Sequence, residues 1–360
     1  MKSKTFIFGL VLTLLFSCNN KKSNTIYNEY EWRVSVNAPK NFPATIYYAA
    51  LGGVDVRRDG TINSGWGTSG SSSDGVKTLP KTLDIIWLSY IENQFYKGNF
   101  ELDQEKIKAI FDEGFKDNYG EDIVTYHDFS FVINVAPGGT VALFMKGLGN
   151  FQIEVGFFKA EKTDIKWKDF VPMGMQDRNK YVQLTLEEDV DKDSLTYYKT
   201  NGIPFNRWKN YREYFNFKTI MPVNYNIVGL GYDCFNGERF YGENNAYHIN
   251  ENYNKLPIPK EITINWIEED NQYKYIAILN IKESEYSRIS TFFKNNSNKA
   301  AFYIEPYVPI NIREIRLLLK SDTEKIEIEV LPYEVKRKLI KKKITTYFNP
   351  LFELSNSYTV

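Results

Sequence analysis

Cysteine and histidine are scarce in this chain of 360 residues, which contains two of each. His127 and His248 alone leave little for His-dependent catalysis, and no close Cys-x-x-Cys or His-x-x-x-His pair is present to start a zinc site. Net charge is also missing, because Lys plus Arg and Asp plus Glu both number 45. A nucleic-acid partner therefore has no electrostatic support. We expect no cofactor, no metal and no nucleic-acid partner.

The N-terminal apolar run, Phe6 to Phe16, is too short to cross a bilayer as a helix, which needs roughly 20 residues. Lys2 and Lys4 precede this run, and Leu15-Phe16-Ser17-Cys18 ends it in the manner of a lipobox. The pattern predicts a signal peptide that is cleaved before Cys18 and acylation of the Cys18 thiol. Several acyl chains on one N-terminus would hold the protein at a membrane almost permanently.

The residues after Cys18 are polar, and Asn19 to Asn24 are neutral or basic rather than acidic. Their composition suits a flexible tether. Acidic residues at this place mark surface-exposed lipoproteins in some bacteria, so their absence favours the periplasmic face of the outer membrane. We expect the membrane to be a partner through the N-terminal lipid. With Cys18 acylated, Cys234 is the only remaining thiol, and its place at the end of a predicted strand favours burial.

Two stretches of the chain resemble each other in order and spacing. Leu79 to Trp87 and Ile258 to Trp266 both begin with an apolar residue followed by Pro-Lys and end in Trp. Leu143-Phe144-Met145-Lys146 likewise matches Leu317-Leu318-Leu319-Lys320. The Pro residues are 179 positions apart (259 minus 80) and the Lys residues 174 (320 minus 146). We interpret this as an internal duplication, with convergence between β-rich segments as the alternative.

Each copy shows strands on both sides of one helix. In the first copy Asp103 is placed to cap a helix that runs through about Phe115, in which Ile107, Ile110, Phe111 and Phe115 recur at helical spacing. In the second copy a helix is predicted from about Glu283 to Phe293. The predicted fold class is α+β, with two tandem, internally duplicated lobes, each a mainly antiparallel sheet with one helix packed on a face.

The predicted domain organisation follows from these patterns. We expect a signal peptide at 1–17, a polar tether at 18–29, a first α+β lobe at 30–186, an acidic linker and connecting helix at 187–214, a second α+β lobe at 215–335 and a basic C-terminal tail at 336–360. The connecting helix is predicted to begin at Pro204 and to carry Trp208, Tyr211 and Tyr214.

Three aromatic residues are the candidates for contact with a ligand or partner. Trp66 lies in the Gly/Ser-rich loop from Gly65 to Gly75, and Trp208 and Tyr211 lie in the connecting helix. The loop lacks the Lys and Ser/Thr of a phosphate loop. The alternative for Trp66 is packing over its own domain. The aromatic-rich composition is itself typical of β structure.

Other motifs are weaker. Asp189 to Asp193 begins like a calcium loop, but Ser194 and Thr200 stand where Gly and Glu are needed, so a solvated linker is favoured. A Cys234 and His248 nucleophile pair has no supporting context. The basic groups at 336–338 and 341–343 fit a solvated helix face, or contact with anionic headgroups.

An ordered set of short segments gives the chain a family resemblance. The segments are Glu31-Trp32-Arg33, Ala38-Pro39, Leu79-Pro80-Lys81, Trp87-Leu88-Ser89-Tyr90, Phe95-Tyr96-Lys97-Gly98, Ala136-Pro137-Gly138-Gly139 and Trp208-Lys209-Asn210-Tyr211-Arg212. With them the chain resembles the bacterial lipoprotein family catalogued as domain of unknown function 2931, most strongly from about Tyr30 to Tyr214. The resemblance implies a membrane-anchored lipoprotein without an established activity, and by association with toxin-export systems a toxin-neutralising role.

These observations favour a lipid-anchored, non-enzymatic binding or interaction protein of the envelope. One alternative is an immunity protein that neutralises a secreted antibacterial toxin. Another is a periplasmic hydrolase of envelope glycans or lipids, which would use carboxylates such as Asp84, Glu92, Glu268 or Glu269.

Overall fold

The computed structural model describes residues 30–57, 60–74, 78–119, 122–147, 151–243, 252–268, 273–307 and 314–339. The predicted signal peptide, Cys18, the polar tether, His248, Glu269 and the basic group at 341–343 lie outside the described residues. No helix among the described residues is long and apolar enough to cross a membrane.

The first half of the molecule, residues 30–163, is mostly β-strand. Its elements in chain order are β1 (Trp32–Asn37), β2 (Ala44–Leu51), β3 (Val54–Asp55), β4 (Thr61–Ile62), β5 (Ser72–Asp74), β6 (Thr82–Ser89), β7 (Gln94–Glu101), α1 (Gln104–Glu113), β8 (Phe115–Tyr119), β9 (Asp122–Tyr126), β10 (Phe129–Ala136), β11 (Thr140–Lys146), β12 (Gln152–Lys159) and β13 (Glu161–Thr163). A 3-10 turn, Pro137–Gly139, joins β10 to β11.

A connecting segment, residues 164–213, is helical, and the second half, residues 214–339, is again mostly strand. The connecting segment contains α2 (Trp167–Phe170), α3 (Arg178–Asp189), α4 (Lys192–Asn201) and α5 (Arg207–Asn210). The second half contains β14 (Tyr214–Ile220), β15 (Tyr225–Cys234), β16 (Arg239–Glu243), β17 (Asn254–Pro257), β18 (Pro259–Glu268), β19 (Tyr273–Asn280), a 3-10 turn (Glu283–Glu285), α6 (Tyr286–Asn295), β20 (Lys299–Tyr307), β21 (Glu314–Lys320), β22 (Lys325–Ile328) and β23 (Val335–Leu339).

The strands form one large sheet shared by both halves and smaller sheets within each half. The shared sheet has ten strands in the order β23-β19-β18-β15-β16-β12-β11-β10-β1-β5. A six-stranded sheet contains β13-β7-β6-β2-β3 with β4 on β2, and a five-stranded sheet has the order β17-β14-β20-β21-β22. Strands β8 and β9 form a separate hairpin. The shared sheet crosses between halves at Gln152 on β12 and Arg239 on β16.

The strand pairings of the two halves follow the same order. The first half contains the paths β5-β1-β10-β11-β12 and β3-β2-β6-β7-β13, and the second contains β17-β14-β20-β21-β22 and β16-β15-β18-β19-β23. In both, the first strand of the half pairs in parallel with a strand from after the helix: β1 pairs with β10, which follows α1 and the β8–β9 hairpin, and β14 pairs with β20, which follows α6 directly. The other pairs along these paths are antiparallel.

A hydrophobic core lies between the two sheets of each half. In the first, alternate residues of β10 and β11 face alternate residues of β2 and β6, and α1 adds Ile107 and Phe111. The Asp103 side chain caps α1 by accepting from the Lys106 N–H at 2.9 Å, as predicted. In the second half α6 adds Ile289, Phe292 and Phe293. Each such buried side chain contributes about 2 kcal/mol to folding.

A stacked Trp-Tyr pair recurs at matching positions of the two cores. Trp87 on β6 lies opposite Tyr96 on β7 with ring centroids 5.3 Å apart. Trp266 on β18 lies opposite Tyr275 on β19 at 5.4 Å. Neither buried indole N–H has a hydrogen-bond partner. Each Trp is the last residue of one of the two segments whose sequences resemble each other, and each Tyr lies on the strand that follows.

The α+β class and the predominance of antiparallel strands are confirmed, and the arrangement within each half differs from the prediction. The antiparallel strands divide over two sheets that enclose the core, because strands such as β6 bury apolar side chains that one helix could not cover. The helix predicted from Pro204 is wrong in extent. It covers only Arg207–Asn210, and Tyr214 begins β14, where Phe215 and Phe217 point into the second core.

The acidic linker and the basic tail also differ from the prediction. The residues around Asp189 to Asp193 are the end of α3 and the start of α4 rather than an extended linker. The basic group at 336–338 is not on a helix, because it lies in β23, which pairs with β19 at the edge of the shared sheet. Its side chains remain exposed.

Candidate functional site

The loop that carries Trp66 lies between the two halves. The shared sheet has an outer face, opposite the first core, to which Val132, Ala142 and Phe144 point. Trp66 covers this face, with its ring 6.1 Å from that of Phe144. Its indole N–H donates to the backbone carbonyl of Asn236 in the second half at 2.8 Å. The loop therefore holds the two halves together.

Three buried amide side chains of the shared sheet fix the backbone of this loop. Asn37 Oδ1 accepts from the Ser64 N–H at 3.1 Å, and Asn134 Oδ1 accepts from the Gly67 N–H at 2.9 Å. Gln152 Nε2 donates to the carbonyls of Gly67 at 2.8 Å and Gly237 at 2.6 Å. Buried amides that bind backbone groups satisfy hydrogen bonds that an irregular loop would otherwise lack.

Glycine is required where the two halves touch. Gly67 has φ +75°, and a Cβ there would lie 2.7 Å from the Cα of Gly237. Gly237 has φ +98° and sits in the turn after β15. Backbone contact this close has no room for any side chain. The Gly/Ser composition of the loop therefore reflects contact between the halves.

Two buried glutamates complete this joint, which we define as Trp66, Gly67, Gln152, Glu154 and Glu238. Glu238 accepts from the Glu154 backbone N–H at 3.0 Å and from the Tyr214 hydroxyl at 2.6 Å. The Glu154 carboxylate accepts hydrogen bonds from two nitrogens of Arg212, Nη2 at 2.7 Å and Nε at 2.9 Å. Burial raises the pKa of Glu154, although the Arg212 charge opposes the shift.

The three aromatic residues predicted to contact a partner are buried. Trp66 is 9% exposed, Trp208 2% and Tyr211 7%. Trp208 packs against Trp66 and Phe42, with ring centroids 5.9 and 5.2 Å apart. The Tyr211 hydroxyl donates to Glu283. These rings pack within the molecule because the outer face of the sheet, the connecting segment and the start of α6 are apolar surfaces that cover one another.

A polar cleft of about 820 Å³ opens on the shared sheet beside the joint. Its floor is the end of β1, β10 and β11 left uncovered by the loop, and β5 with the loop residues after Thr68 forms one wall. The lining includes two cations, four serines and three carboxylates: Arg33, Lys146, Ser35, Ser69, Ser72, Ser130, Glu31, Asp74 and Asp128. This mixture of donors and acceptors is suited to a polar ligand.

One row of the cleft floor crosses four strands. Asp74, Arg33, Ser130 and Lys146 lie opposite one another on β5, β1, β10 and β11. Arg33 approaches Asp74 at 3.5 Å, while Lys146 Nζ donates to Ser69 Oγ at 3.2 Å. Within the described part of the chain Lys146 forms no ion pair. Burial, and then the Arg239 charge, lowers the pKa of Lys146.

Ser35 has a buried hydroxyl with no protein partner. It lies on the cleft floor, on β1, and is 2% exposed. No described group lies within hydrogen-bond distance of its Oγ. Buried hydroxyls are normally paired, so this one has capacity for a ligand or a water. Sequence reasoning missed it, although Ser35 and Asn37 alternate with Val34 and Val36 on a strand of the core.

The carboxylates that the sequence suggested for a hydrolase either bind other groups of the protein or have side chains that the structure does not describe, and Cys234 is buried. Glu92 accepts from the Tyr96 hydroxyl at 2.6 Å and the Gly138 N–H at 3.0 Å, and Asp84 accepts from Asn99. The side chain of Glu268 is not described. Cys234 is fully buried as predicted, and burial raises its pKa well above the ordinary value.

The calcium-like motif and the first histidine contact other groups of the protein. Asp191 accepts from Asn41 at 3.0 Å at the start of α4, and His127 contacts the Phe111 carbonyl at 2.7 Å. Among the described residues no group of three or more His, Cys, Asp or Glu could hold a metal ion.

Comparison with known proteins identifies one family. A family model described as "Protein of unknown function (DUF2931)" matches residues 17–206, just over half of the chain. This range includes the Trp66 loop and the cleft. Trp208 lies two residues beyond its end. No curated protein and no solved structure matches the chain.

Proposed function

Since the chain belongs to the DUF2931 family, whose description assigns no function, we propose that it is a lipid-anchored, non-enzymatic binding protein of the bacterial envelope. In this proposal Cys18 carries the lipid and the anchor is in the outer membrane, on its periplasmic face. The cleft takes the ligand. The connecting segment and the second half hold the Trp66 loop, which lies beside the cleft, through Trp208 and Asn236.

The cleft is the observation that carries the binding proposal. It is large enough for a small molecule, lies within the family-matched range and presents polar groups that the protein leaves unused. Ser35 and Lys146 supply these groups on β1 and β11. Each of these strands is paired on both sides in the shared sheet, so the side chains are held on a rigid support.

Binding is tested by isolating what the cleft holds. The full chain would be purified from native membranes beside a Lys146→Met variant, and co-purifying small molecules and proteins identified by mass spectrometry. We expect a compound or partner that is enriched with the wild type and reduced with the variant. Equal recovery from both proteins would reject the cleft as the binding site.

Anchoring at Cys18 is tested by labelling cells with radioactive palmitate. We expect the wild type and a Cys234→Ala variant to carry label and a Cys18→Ser variant to carry none. Cys234→Ala is the matched control because Cys234 is the other thiol in the chain and is buried. Label on Cys18→Ser at the wild-type level would contradict the proposed anchor.

A hydrolase of envelope glycans or lipids is a second candidate that uses the same cleft. The carboxylates of Glu31, Asp74 and Asp128 on its lining favour this candidate, because glycosidases work with paired carboxylates. Turnover of envelope glycans that is lost in Asp74→Asn and Asp128→Asn variants would support it. An immunity protein is a variant of the binding proposal, and deletion of the gene would then sensitise cells to a neighbour's toxin.

We also propose that the two halves are duplicated lobes. The common order of strand pairings, the parallel first pair and the recurring Trp-Tyr stack support this. In this proposal the predicted lobes 30–186 and 215–335 share one ancestral design. The loop and the cleft described above belong to the first lobe.

A further inference from the structure

The cleft floor has a counterpart in the second half that is closed by the protein's own side chains. In the first half Arg33, Ser130 and Lys146 lie in one row across β1, β10 and β11. In the second half Lys218, Ala301 and Lys320 form the matching row across β14, β20 and β21. Lys320 binds Glu305 at 2.9 Å and lies over the Tyr303 ring, and Lys218 lies over the Tyr253 ring.

The first row differs because Lys146, the cation at its β11 end, is left with unused donors. Lys146 Nζ donates to Ser69, and an ammonium group has two further protons to give. Two strand spacings of about 4.8 Å separate the backbones of Arg33 and Lys146, so their side chains can approach one group from both sides. Ser130 lies between them. An anionic oxygen at this place would receive charge-assisted hydrogen bonds.

The carboxylates of the same cleft restrict what that anion can be. Asp74 lies next to Arg33, and Glu31 and Asp128 also line the cleft. They would repel a compact, multiply charged anion such as phosphate. They would instead accept hydrogen bonds from neutral hydroxyls. A ligand with one carboxylate and several hydroxyls satisfies both sets of residues.

Ser35 gives the independent sign that a ligand belongs here. Its buried Oγ has no partner and lies on the same floor, opposite Ser72 on β5. A buried hydroxyl without a partner is costly unless something else pairs with it. A ligand hydroxyl can both donate to and accept from a serine.

We propose that the cleft binds a sugar acid, a polyhydroxylated molecule with a single carboxylate. The carboxylate lies between Lys146 and Arg33, next to Ser130. The hydroxyls bind Ser35, Ser72 and Asp74. This assignment rests on the proposed binding function and names the ligand class of that site.

The test is a binding titration of the full chain, purified from membranes in detergent, with four probes. D-glucuronate is the sugar acid, D-glucose has the hydroxyls alone, acetate has the carboxylate alone, and inorganic phosphate is the compact anion. We expect glucuronate to bind with a dissociation constant in the millimolar range or below. The other three should bind at least about tenfold more weakly, because each lacks one set of contacts.

Three variants locate the binding. Lys146→Met should weaken glucuronate binding by at least about tenfold, through loss of a charge-assisted bond. Ser35→Ala should weaken it about threefold to tenfold while leaving the melting temperature unchanged or higher, since the hydroxyl has no protein partner. Lys320→Met is the matched control, at the corresponding strand end of the second half, and should leave binding unchanged.

Each contrary outcome is informative. Equal binding of glucuronate by wild type and Lys146→Met rejects the cleft as its site. Phosphate or glucose binding as tightly as glucuronate rejects the sugar-acid class, and the binding function stands if Lys146→Met weakens it. Failure of all four probes rejects the sugar acid. The broader proposal then falls only if the membrane isolation also recovers nothing that depends on Lys146.

Discussion

The two halves of the molecule share an order of strand pairings and differ in what covers one sheet of each. In the first half, the outer face of β1, β10 and β11 is covered by the Trp66 loop except at the cleft. In the second half, the matching face of β14, β20 and β21 carries partly exposed Lys218, Tyr303 and Lys320, which pair with their neighbours. With the same order of strand pairings, the first face therefore keeps an uncovered cleft, whereas the cations of the second face are engaged by the Lys320–Glu305 ion pair and by the rings of Tyr303 and Tyr253.

The comparison shows how few residues separate a binding surface from a closed one. Ser130 of the first row corresponds to Ala301 in the second, and Asp74 lies where the second half has the Tyr253 ring over Lys218. The strands set the spacing of the cations in both halves. The residues beside the cations decide whether they form ion pairs and ring contacts or keep donors free for a ligand.

Removing Trp66 should have the largest effect, because its ring fills the space between the halves. We expect Trp66→Ala to lower the free energy of unfolding by about 3–5 kcal/mol, as for other large buried aromatic residues. Urea unfolding followed by circular dichroism measures this. A second unfolding transition would show that the halves then unfold separately. A loss below about 1 kcal/mol would contradict the central role of the loop.

The two stacked tryptophans test whether the cores are one design. Trp87→Phe and Trp266→Phe each remove ring volume together with an indole N–H that has no partner. The cavity costs stability and the loss of the unpaired donor offsets part of it, so we expect about 1–3 kcal/mol for each. Paired unfolding measurements should give values that agree within about 0.5 kcal/mol. A large difference would argue against equivalent packing in the two halves.

The pH dependence of stability should differ between a buried glutamate of the joint, Glu154, and an exposed glutamate of the second half, Glu329. Burial raises the folded-state pKa of Glu154 above its ordinary 4.5, so its charge penalises the folded state at higher pH. The penalty is absent below pH 4.5 and grows as pH rises through the folded pKa. The wild type should therefore lose stability relative to Glu154→Gln over that range.

Glu329 is the matched control for this measurement. Its hydrogen bond to Lys282 lowers its pKa, so it stabilises the fold above pH 4.5 and this contribution is lost as pH falls through the folded pKa. Unfolding curves across pH should therefore shift in opposite directions for Glu329→Gln and Glu154→Gln. A shift of the same sign in both variants would show that the buried carboxylate is not penalised.

The smallest effect is expected at the two matched lysines, in opposite directions. Lys320→Met removes a half-buried ion pair with Glu305 and should cost at most about 1 kcal/mol. Lys146→Met removes a partly desolvated charge that has no carboxylate partner, so it should leave stability unchanged or slightly higher. Thermal melting of both variants measures the contrast. Destabilisation by Lys146→Met would indicate that its charge is already satisfied.

Much of the secondary structure could be predicted from the sequence, because local signals determine it. The Asp103 cap is confirmed, although α1 ends at Glu113 and Phe115 begins β8. The helix predicted from about Glu283 to Phe293 is the 3-10 turn Glu283–Glu285 followed by α6, Tyr286–Asn295. The pairing of β1 with β10 in parallel could not be predicted, since the strands are almost 100 residues apart and no local pattern encodes their partnership. The helices α3 and α4 were missed because their polar faces look like a linker.

The site was harder to predict than the fold. Gly, Ser and Trp in one loop indicated contact, and the structure places that contact between the halves. The cleft depends on Arg33, Ser35 and Lys146, which come from three strands and carry no shared motif. Polar residues alternating with valines on β1 were the available signal. This alternation predicts that one face of β1 is polar, but it does not show how much of that face the Trp66 loop covers.

Strand β1 also determines how the protein would bear a mechanical load. Its six residues pair with β10 on one side and its Arg33–Ser35 portion with β5 on the other, close to where the chain enters the described fold. A pull on the preceding residues, directed along the strand, would shear the ladder so that its hydrogen bonds share the force rather than open one after another. If Cys18 carries the proposed lipid, a pull on the anchor would load the backbone hydrogen bonds of β1 together.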